Sequence, residues 1–219
     1  MIISRGRRYI FVHIPKTGGT ALSLALEARA KADDILIGDT PKAQRRKGRL
    51  KGLETRGRLW KHATLADIEG LVDPGELEQL FCFTLVRNPW DRLVSYYHWL
   101  RAQSFAHPAV ALAQSADFDG FVRDEATARA QRNTPARHYM TDASGQERAQ
   151  AYVRLEHLRD DLAPVEAHLG FKLDVARSNA SARERDYRVY YTDTLAALVA
   201  ELCAEDIARF GYSFDGGVP

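Results

Sequence analysis

Apolar and polar positions alternate along this chain in blocks that predict short strands followed by helices. Tyr9–Ile14 is an apolar run of strand length. It passes through Pro15-Lys16-Thr17-Gly18-Gly19-Thr20 into Ala21-Leu22-Ser23-Leu24-Ala25-Leu26, and a helix is predicted over Gly19–Arg29. Leu80–Val86 is continuously apolar, the pattern of a strand covered on both faces of a parallel sheet, and it stops at Arg87. Asn88 then has the side chain of a helix N-cap, Pro89 takes the first helical position and Asp91 the third. Leu93, Tyr96, Tyr97 and Leu100 recur behind them at helical spacing. Further helices are predicted over 117–128, 158–169 and 192–210, and a short strand over 152–155. Thr64-Leu65-Ala66-Asp67 has the spacing of a capping box with Asp in place of Glu, and Asp73-Pro74-Gly75-Glu76 is a second helix-start signal. Strands that alternate with helices predict a three-layer α/β domain.

Between Gly38 and Lys61 this pattern is lost. Arg45, Arg46, Lys47, Arg49, Lys51, Arg56, Arg58 and Lys61 are interrupted by one acid, Glu54, so 38–61 reads as a mobile basic loop. It offers a steering surface for an anionic molecule.

Composition narrows the class. With 219 residues and 45% hydrophobic content the chain can bury one full core, so a single domain over 1–219 is expected. A net charge of +2 gives no global field for nucleic acid. Cys82 and Cys203 are far apart in apolar surroundings, which predicts free thiols, and no zinc-type spacing exists. No apolar run approaches the ~20 residues of a membrane span. The charges of Arg5, Arg7 and Arg8 follow a very short apolar start, unlike a signal peptide, so a soluble, cytoplasmic protein is expected.

The strand–glycine loop–helix unit is a holder for a phosphate-like anion. Glycine lets the backbone approach the ligand, and the helix N-terminus offers N–H donors of partial positive charge. Lys16 and the hydroxyls of Thr17 and Thr20 add charge-assisted and neutral hydrogen bonds. In a nucleotide triphosphatase loop the lysine follows the glycines, whereas here it precedes them. A triphosphatase also tends to end its next strand in a metal-holding Asp; this strand ends in Arg87. A guanidinium repels a metal and receives a phosphate, so a dianionic ligand without magnesium is expected. Ser95, about two turns into the following helix, can join Arg87 in clamping one phosphate.

At these residues the chain resembles a known family. His13-Ile14-Pro15-Lys16-Thr17-Gly18-Gly19-Thr20 is similar to the 5′-phosphosulfate loop of sulfotransferases that use 3′-phosphoadenosine 5′-phosphosulfate (PAPS). Arg87-Asn88-Pro89 through Ser95 is similar to their 3′-phosphate motif, and the nearest branch is that of carbohydrate sulfotransferases similar to heparan sulfate 2-O-sulfotransferase. Weaker likeness extends to Arg154-Leu155-Glu156-His157-Leu158 and Asp206–Tyr212. The resemblance implies a P-loop-like fold with a central, mainly parallel sheet flanked by helices. It implies that Lys16, Thr17, Gly18, Gly19 and Thr20 surround the 5′-phosphosulfate and that Arg87 and Ser95 bind the 3′-phosphate. Further nucleotide contacts would come from 177–181. PAPS would be the co-substrate, no metal would take part, and the partner would be a hydroxyl-bearing acceptor, a carbohydrate and one able to carry negative charge.

Sulfuryl transfer is an in-line displacement carried by positioning and electrostatics. Lys16 is the candidate cation beside the leaving phosphate oxygen. The acceptor hydroxyl needs a base of near-neutral pKa, and His62 is the candidate among seven histidines, because the family resembled carries a histidine base in this interval. His13 reads as buried support, His138 as a second candidate, and Gln131, Arg132 and Arg137 as acceptor contacts. Blander readings remain open at this stage: an ordinary strand–helix turn at Lys16–Gly19, and an Arg87 that simply pairs with Asp91. Two other functions compete with the sulfotransferase. One is a magnesium-dependent P-loop-type kinase; the other is a non-catalytic protein that binds nucleotide or sulfated glycan.

Overall fold

The computed structural model describes residues 1–176 and 183–216. The segment 177–181, expected to add nucleotide contacts, lies outside the described residues. In chain order the strands are β1 (Ile2–Ser4), β2 (Tyr9–Val12), β3 (Ile35–Leu36), β4 (Phe81–Val86) and β5 (Ala149–Arg154). The α-helices are α1 (Gly19–Ala28), α2 (Pro41–Arg46), α3 (Pro74–Leu77), α4 (Pro89–Arg101), α5 (Pro108–Ser115), α6 (Phe118–Arg123), α7 (Glu125–Asn133) and α8 (Ala136–Met140), then α9 (Leu158–Asp161), α10 (Ala163–Leu169), α11 (Asp193–Leu202) and α12 (Ala204–Phe210). Two compact units form, one from 1–86 with 136–178 and the other from 87–135 with 179–219.

The first unit holds a five-stranded sheet in the order β3-β1-β2-β4-β5. Its heart, β2-β4-β5, is parallel, and β1 pairs antiparallel with both β2 and the edge strand β3. Val12 lies opposite Thr84 and Val86 opposite Arg154, so the carboxyl ends of all three parallel strands meet at one edge. One face buries Tyr9, Phe11, Phe83, Leu85 and Val153 under Leu22 and Leu26 of α1 and Val165 and Leu169 of α10. The other face buries Ile10, Val12, Cys82 and Thr84. Burial on both sides is the reason β4 reads as an unbroken apolar run. The one hydroxyl in β4, Thr84, donates to the Val12 carbonyl at 2.7 Å, which satisfies a polar group in a dry sheet.

The second unit packs Trp90, Leu93, Val94 and Tyr97 of α4 against Phe118, Phe121, Tyr187, Leu195 and Val199. Asn88 caps α4 as the sequence predicts: its Oδ1 accepts from the Trp90 amide at 3.1 Å and the Asp91 amide at 3.5 Å. Its Nδ2 donates to Tyr187 Oη at 3.3 Å and the Ser213 carbonyl at 3.1 Å, so one buried amide joins the helix start to two distant segments.

Five expectations need correction. The segment 38–61 is not loop throughout: Thr40 caps α2, its Oγ1 accepting from the Ala43 amide at 3.2 Å, and Pro41 stands at the helix start. The Thr64–Asp67 box makes its reciprocal bonds, with Thr64 N donating to Asp67 Oδ2 at 2.8 Å and Asp67 N to Thr64 Oγ1 at 3.1 Å. No helix follows it, because the Leu65 and Ala66 amides are drawn sideways to the Tyr139 and Thr141 carbonyls at 3.0 and 3.1 Å. The helix predicted over 117–128 breaks where Asp124 turns to cap α7. Those over 158–169 and 192–210 break at Leu162 and Cys203.

Replacing Asn88 by alanine removes the cap and leaves buried partners unpaired. The expected loss is about 2 kcal/mol, read as a lower midpoint in urea denaturation.

Candidate functional site

The chain leaves β2 at Val12 and turns through Ile14–Gly18 into α1. Two residues of this turn have positive φ, Lys16 at 66° and Gly18 at 83°. The left-handed conformation costs a side-chain-bearing residue such as Lys16 ~1 kcal/mol or more, and strain of that kind persists where the surroundings enforce it. Thr17 closes the turn by donating its hydroxyl to the Ile14 carbonyl at 2.9 Å, and it is only 1% exposed. Its hydroxyl is therefore spent on the backbone, which narrows the ligand role the sequence assigned to Thr17. Thr20, by contrast, is exposed.

The start of α1 carries no side-chain cap and no acid in its first turn. Its first N–H groups have no acceptor within the helix and lie at the positive end of the dipole. The Ala21 N–H donates to the Gly18 carbonyl at 3.1 Å, and a helix start of this kind can receive an anion. Both glycines are sterically required. A Cβ on Gly19 would stand 2.2 Å from His13 Cδ2, and one on Gly18 would stand 2.9 Å from Leu155 Cδ1. Leu155 follows β5, so the third parallel strand packs its own exit against the loop.

His62 sits beside this loop. Its Nδ1 lies 2.7 Å from the His13 carbonyl, and its ring meets the His13 ring at 4.8 Å and the Trp60 ring at 5.0 Å. A carbonyl only accepts, so Nδ1 carries the proton and Nε2 keeps its lone pair. Burial pushes the His62 pKa down to about 4, against the raising effect of its bond to His13; the Lys61 charge lowers it further. His13 is 8% exposed and is pushed well below the usual histidine range, again chiefly by burial. Both imidazoles are neutral at pH 7. His13 is buried support, as the sequence reading has it, and its contacts explain the support.

In the second unit, Arg87 Nε donates to Asp91 Oδ2 at 2.9 Å. The bland pairing is thus real, but it is not the whole arrangement. Asp91 is 1% exposed and its other oxygen accepts from Arg183 Nη2 at 2.5 Å, so one buried carboxylate holds two guanidiniums. Ser95 is 5% exposed and lies one turn beyond Asp91 on the same face of α4. Arg183 escaped the sequence reading because its partner is 92 positions away and its own neighbours form an ordinary polar stretch. Of the guessed acceptor contacts, Gln131 and Arg132 lie on α7 in the second unit, and Arg137 lies with His138 on α8 in the first.

Gly19→Ala should destabilise the protein and weaken anion binding together, since the added methyl collides with the His13 ring. A variant with wild-type melting temperature and wild-type anion affinity in calorimetry would contradict this. The folded-state pKa of His62 lies below the unfolded value of ~6.5, so the unfolded chain binds more protons between the two. Stability is full above pH ~6.5 and falls as pH drops toward 4; His62→Asn should flatten that fall in melting temperature.

The family model described as "Sulfotransferase family" matches residues 1–213. No curated protein matches the chain. Among solved structures, mouse sulfotransferase SULT7A1 complexed with PAP aligns over 94% of this chain and 85% of that one, at 18% identity and a TM-score of 0.47. By its match to the family model over nearly its whole length, the chain belongs to the sulfotransferase family.

Proposed function

We propose that this protein transfers a sulfuryl group from PAPS to the hydroxyl of a carbohydrate, and that its single functional domain spans both compact units. The observation that carries the reading is the uncapped, acid-free start of α1 next to a histidine whose Nε2 lone pair is fixed by the Nδ1 bond to His13. An anion loop and a neutral base side by side are what sulfuryl transfer to a hydroxyl requires.

In this reading the backbone of Gly18, Gly19 and Thr20 holds the 5′-phosphosulfate, with Thr17 shaping the turn. Arg87, oriented by Asp91, and Ser95 bind the 3′-phosphate. The acceptor oxygen attacks sulfur while the bond from sulfur to the bridging phosphate oxygen breaks. The electron pair leaves on the phosphate, where Lys16 stabilises it, and the acceptor proton passes to His62 Nε2. Residues fit for this carry cations and donors at the anion and a neutral acceptor at the hydroxyl. The basic stretch from Arg45 to Lys61 and the resemblance to carbohydrate sulfotransferases support an anionic sugar as acceptor. A kinase reading is disfavoured by Lys16 preceding the glycines and by Arg87 at the end of β4.

Calorimetry with adenosine 3′,5′-bisphosphate and with ATP tests the reading. The bisphosphate should bind with or without magnesium and more tightly than ATP; a preference for magnesium-ATP would return the kinase. Arg87→Ala should weaken the bisphosphate by about 2 kcal/mol, or ~30-fold. Lys16→Ala should lower kcat by roughly a hundredfold while the bisphosphate affinity changes far less, because its partner charge develops during reaction. His62→Ala should lower kcat by ~10²–10⁴ with nucleotide affinity intact. Wild-type protein that binds nucleotide yet transfers sulfate to no acceptor would favour the non-catalytic alternative.

A further inference from the structure

We propose that Trp60 and Arg58 form the surface on which the acceptor sugar lies, so that they select the acceptor. This rests on the sulfotransferase reading above. Trp60 is 39% exposed, whereas the indole of Trp90 is 3% exposed and donates to the Ala196 carbonyl at 2.9 Å. The solvent-facing part of the Trp60 indole offers a flat apolar surface with a polar N–H edge. This one stands edge to face with His62, ring centroids 5.0 Å apart at 87°, directly beside the proposed base. The Arg58 guanidinium lies over the Trp60 ring, 5.3 Å from its centroid.

The backbone around the pair is fixed on both sides. Arg56 N donates to the Glu69 carbonyl at 2.9 Å and Gly57 N to the Asp67 carbonyl at 3.0 Å. The crossing at Gly57 is close enough that a Cβ there would stand 1.9 Å from Asp67 Oδ1. On the other side Ala63 N donates to the Trp60 carbonyl at 3.0 Å, and His62 is tied to His13. Trp60 is therefore an exposed aromatic held at a set place by paired backbone.

A flat aromatic surface and a cation suit a pyranose that carries an acid group. The C–H face of the sugar ring packs on the part of the indole left in solvent. A carboxylate or sulfate on the sugar pairs with Arg58, which exchanges a cation–π contact for a charge-assisted hydrogen bond. A sugar seated there presents its hydroxyls to the side of Trp60 where His62 stands. Trp60 and Arg58 bind and orient; neither touches the reacting sulfur.

The test uses whole protein loaded with adenosine 3′,5′-bisphosphate. Calorimetry would measure a uronate-containing hexasaccharide and a neutral hexasaccharide of equal length. Wild type should bind the uronate sugar. Trp60→Ala should weaken it by roughly tenfold or more and Trp60→Phe by less. Arg58→Gln should weaken the uronate sugar and leave the neutral one unchanged. All three variants should stay folded and keep the wild-type bisphosphate affinity, and in turnover they should raise acceptor KM more than they lower kcat. Wild-type sugar affinity in Trp60→Ala overturns the inference, as does bisphosphate-loaded wild type that binds neither sugar, or that binds a tyrosine peptide instead. A protein that does not bind the bisphosphate at all overturns the sulfotransferase reading itself, so the two failures are separable.

Discussion

The contact of the His13 imidazole with the bare Cα of Gly19 is the constraint from which the rest of the first unit's chemistry follows. Its ring fills the space that any Cβ at Gly19 would need, and its carbonyl holds His62 Nδ1 at 2.7 Å. One residue at the exit of β2 thereby fixes both the turn into α1 and the ring of His62. Because β2 is buried on both faces and pairs with β4 through four register positions, Tyr9 to Val12, His13 has little freedom to shift. Preorganisation of this kind is worth most where charge moves during reaction, since nothing then has to rearrange.

The loop's backbone strain belongs to the same economy. Lys16 adopts a φ of 66°, a conformation glycine would take without penalty. Glycine, however, brings no ammonium. Keeping lysine there makes sense when its charge is needed at the loop, and the Thr17 hydroxyl bond to Ile14 supplies part of the restraint that holds the turn. In the second unit Asp91 serves a comparable end. A buried carboxylate that accepts from Arg87 and Arg183 orients two planar donors that would otherwise sample many rotamers.

Much of this was legible in the chain, and the parts that were not share a cause. The turn into α1 and the Asn88-Pro89 helix start are local signals, with hydrogen bonds between residues at most a few positions apart, and β4 is legible from its apolar run although its bonds are long-range. The role of Trp60 was invisible, because its exposure depends on Gly57 and Arg56 pairing with Asp67 and Glu69. Arg183 was missed for the same reason. The Thr64–Asp67 box shows the converse, a local signal correctly formed yet overridden when Tyr139 and Thr141 claimed the neighbouring amides. The helix α2 was overlooked although Thr40-Pro41 announced it, since the crowd of basic residues after it was read as a solvated loop.

Burial makes His62 a weak base, with a pKa of about 4, and a weak base is a poor partner for a hydroxyl. Its environment contains the means of correction. Desolvation lowers the value by penalising the imidazolium, and an anion brought close to the ring favours that same charged form. A doubly anionic donor bound on the α1 loop, as in the proposed function, would therefore raise the His62 pKa. The Nδ1 bond to His13 remains in place through this change, since an imidazolium donates from both nitrogens. If His62 serves as the base of the proposed reaction, its dry surroundings keep the ring uncharged, and negative charge brought close to it favours protonation.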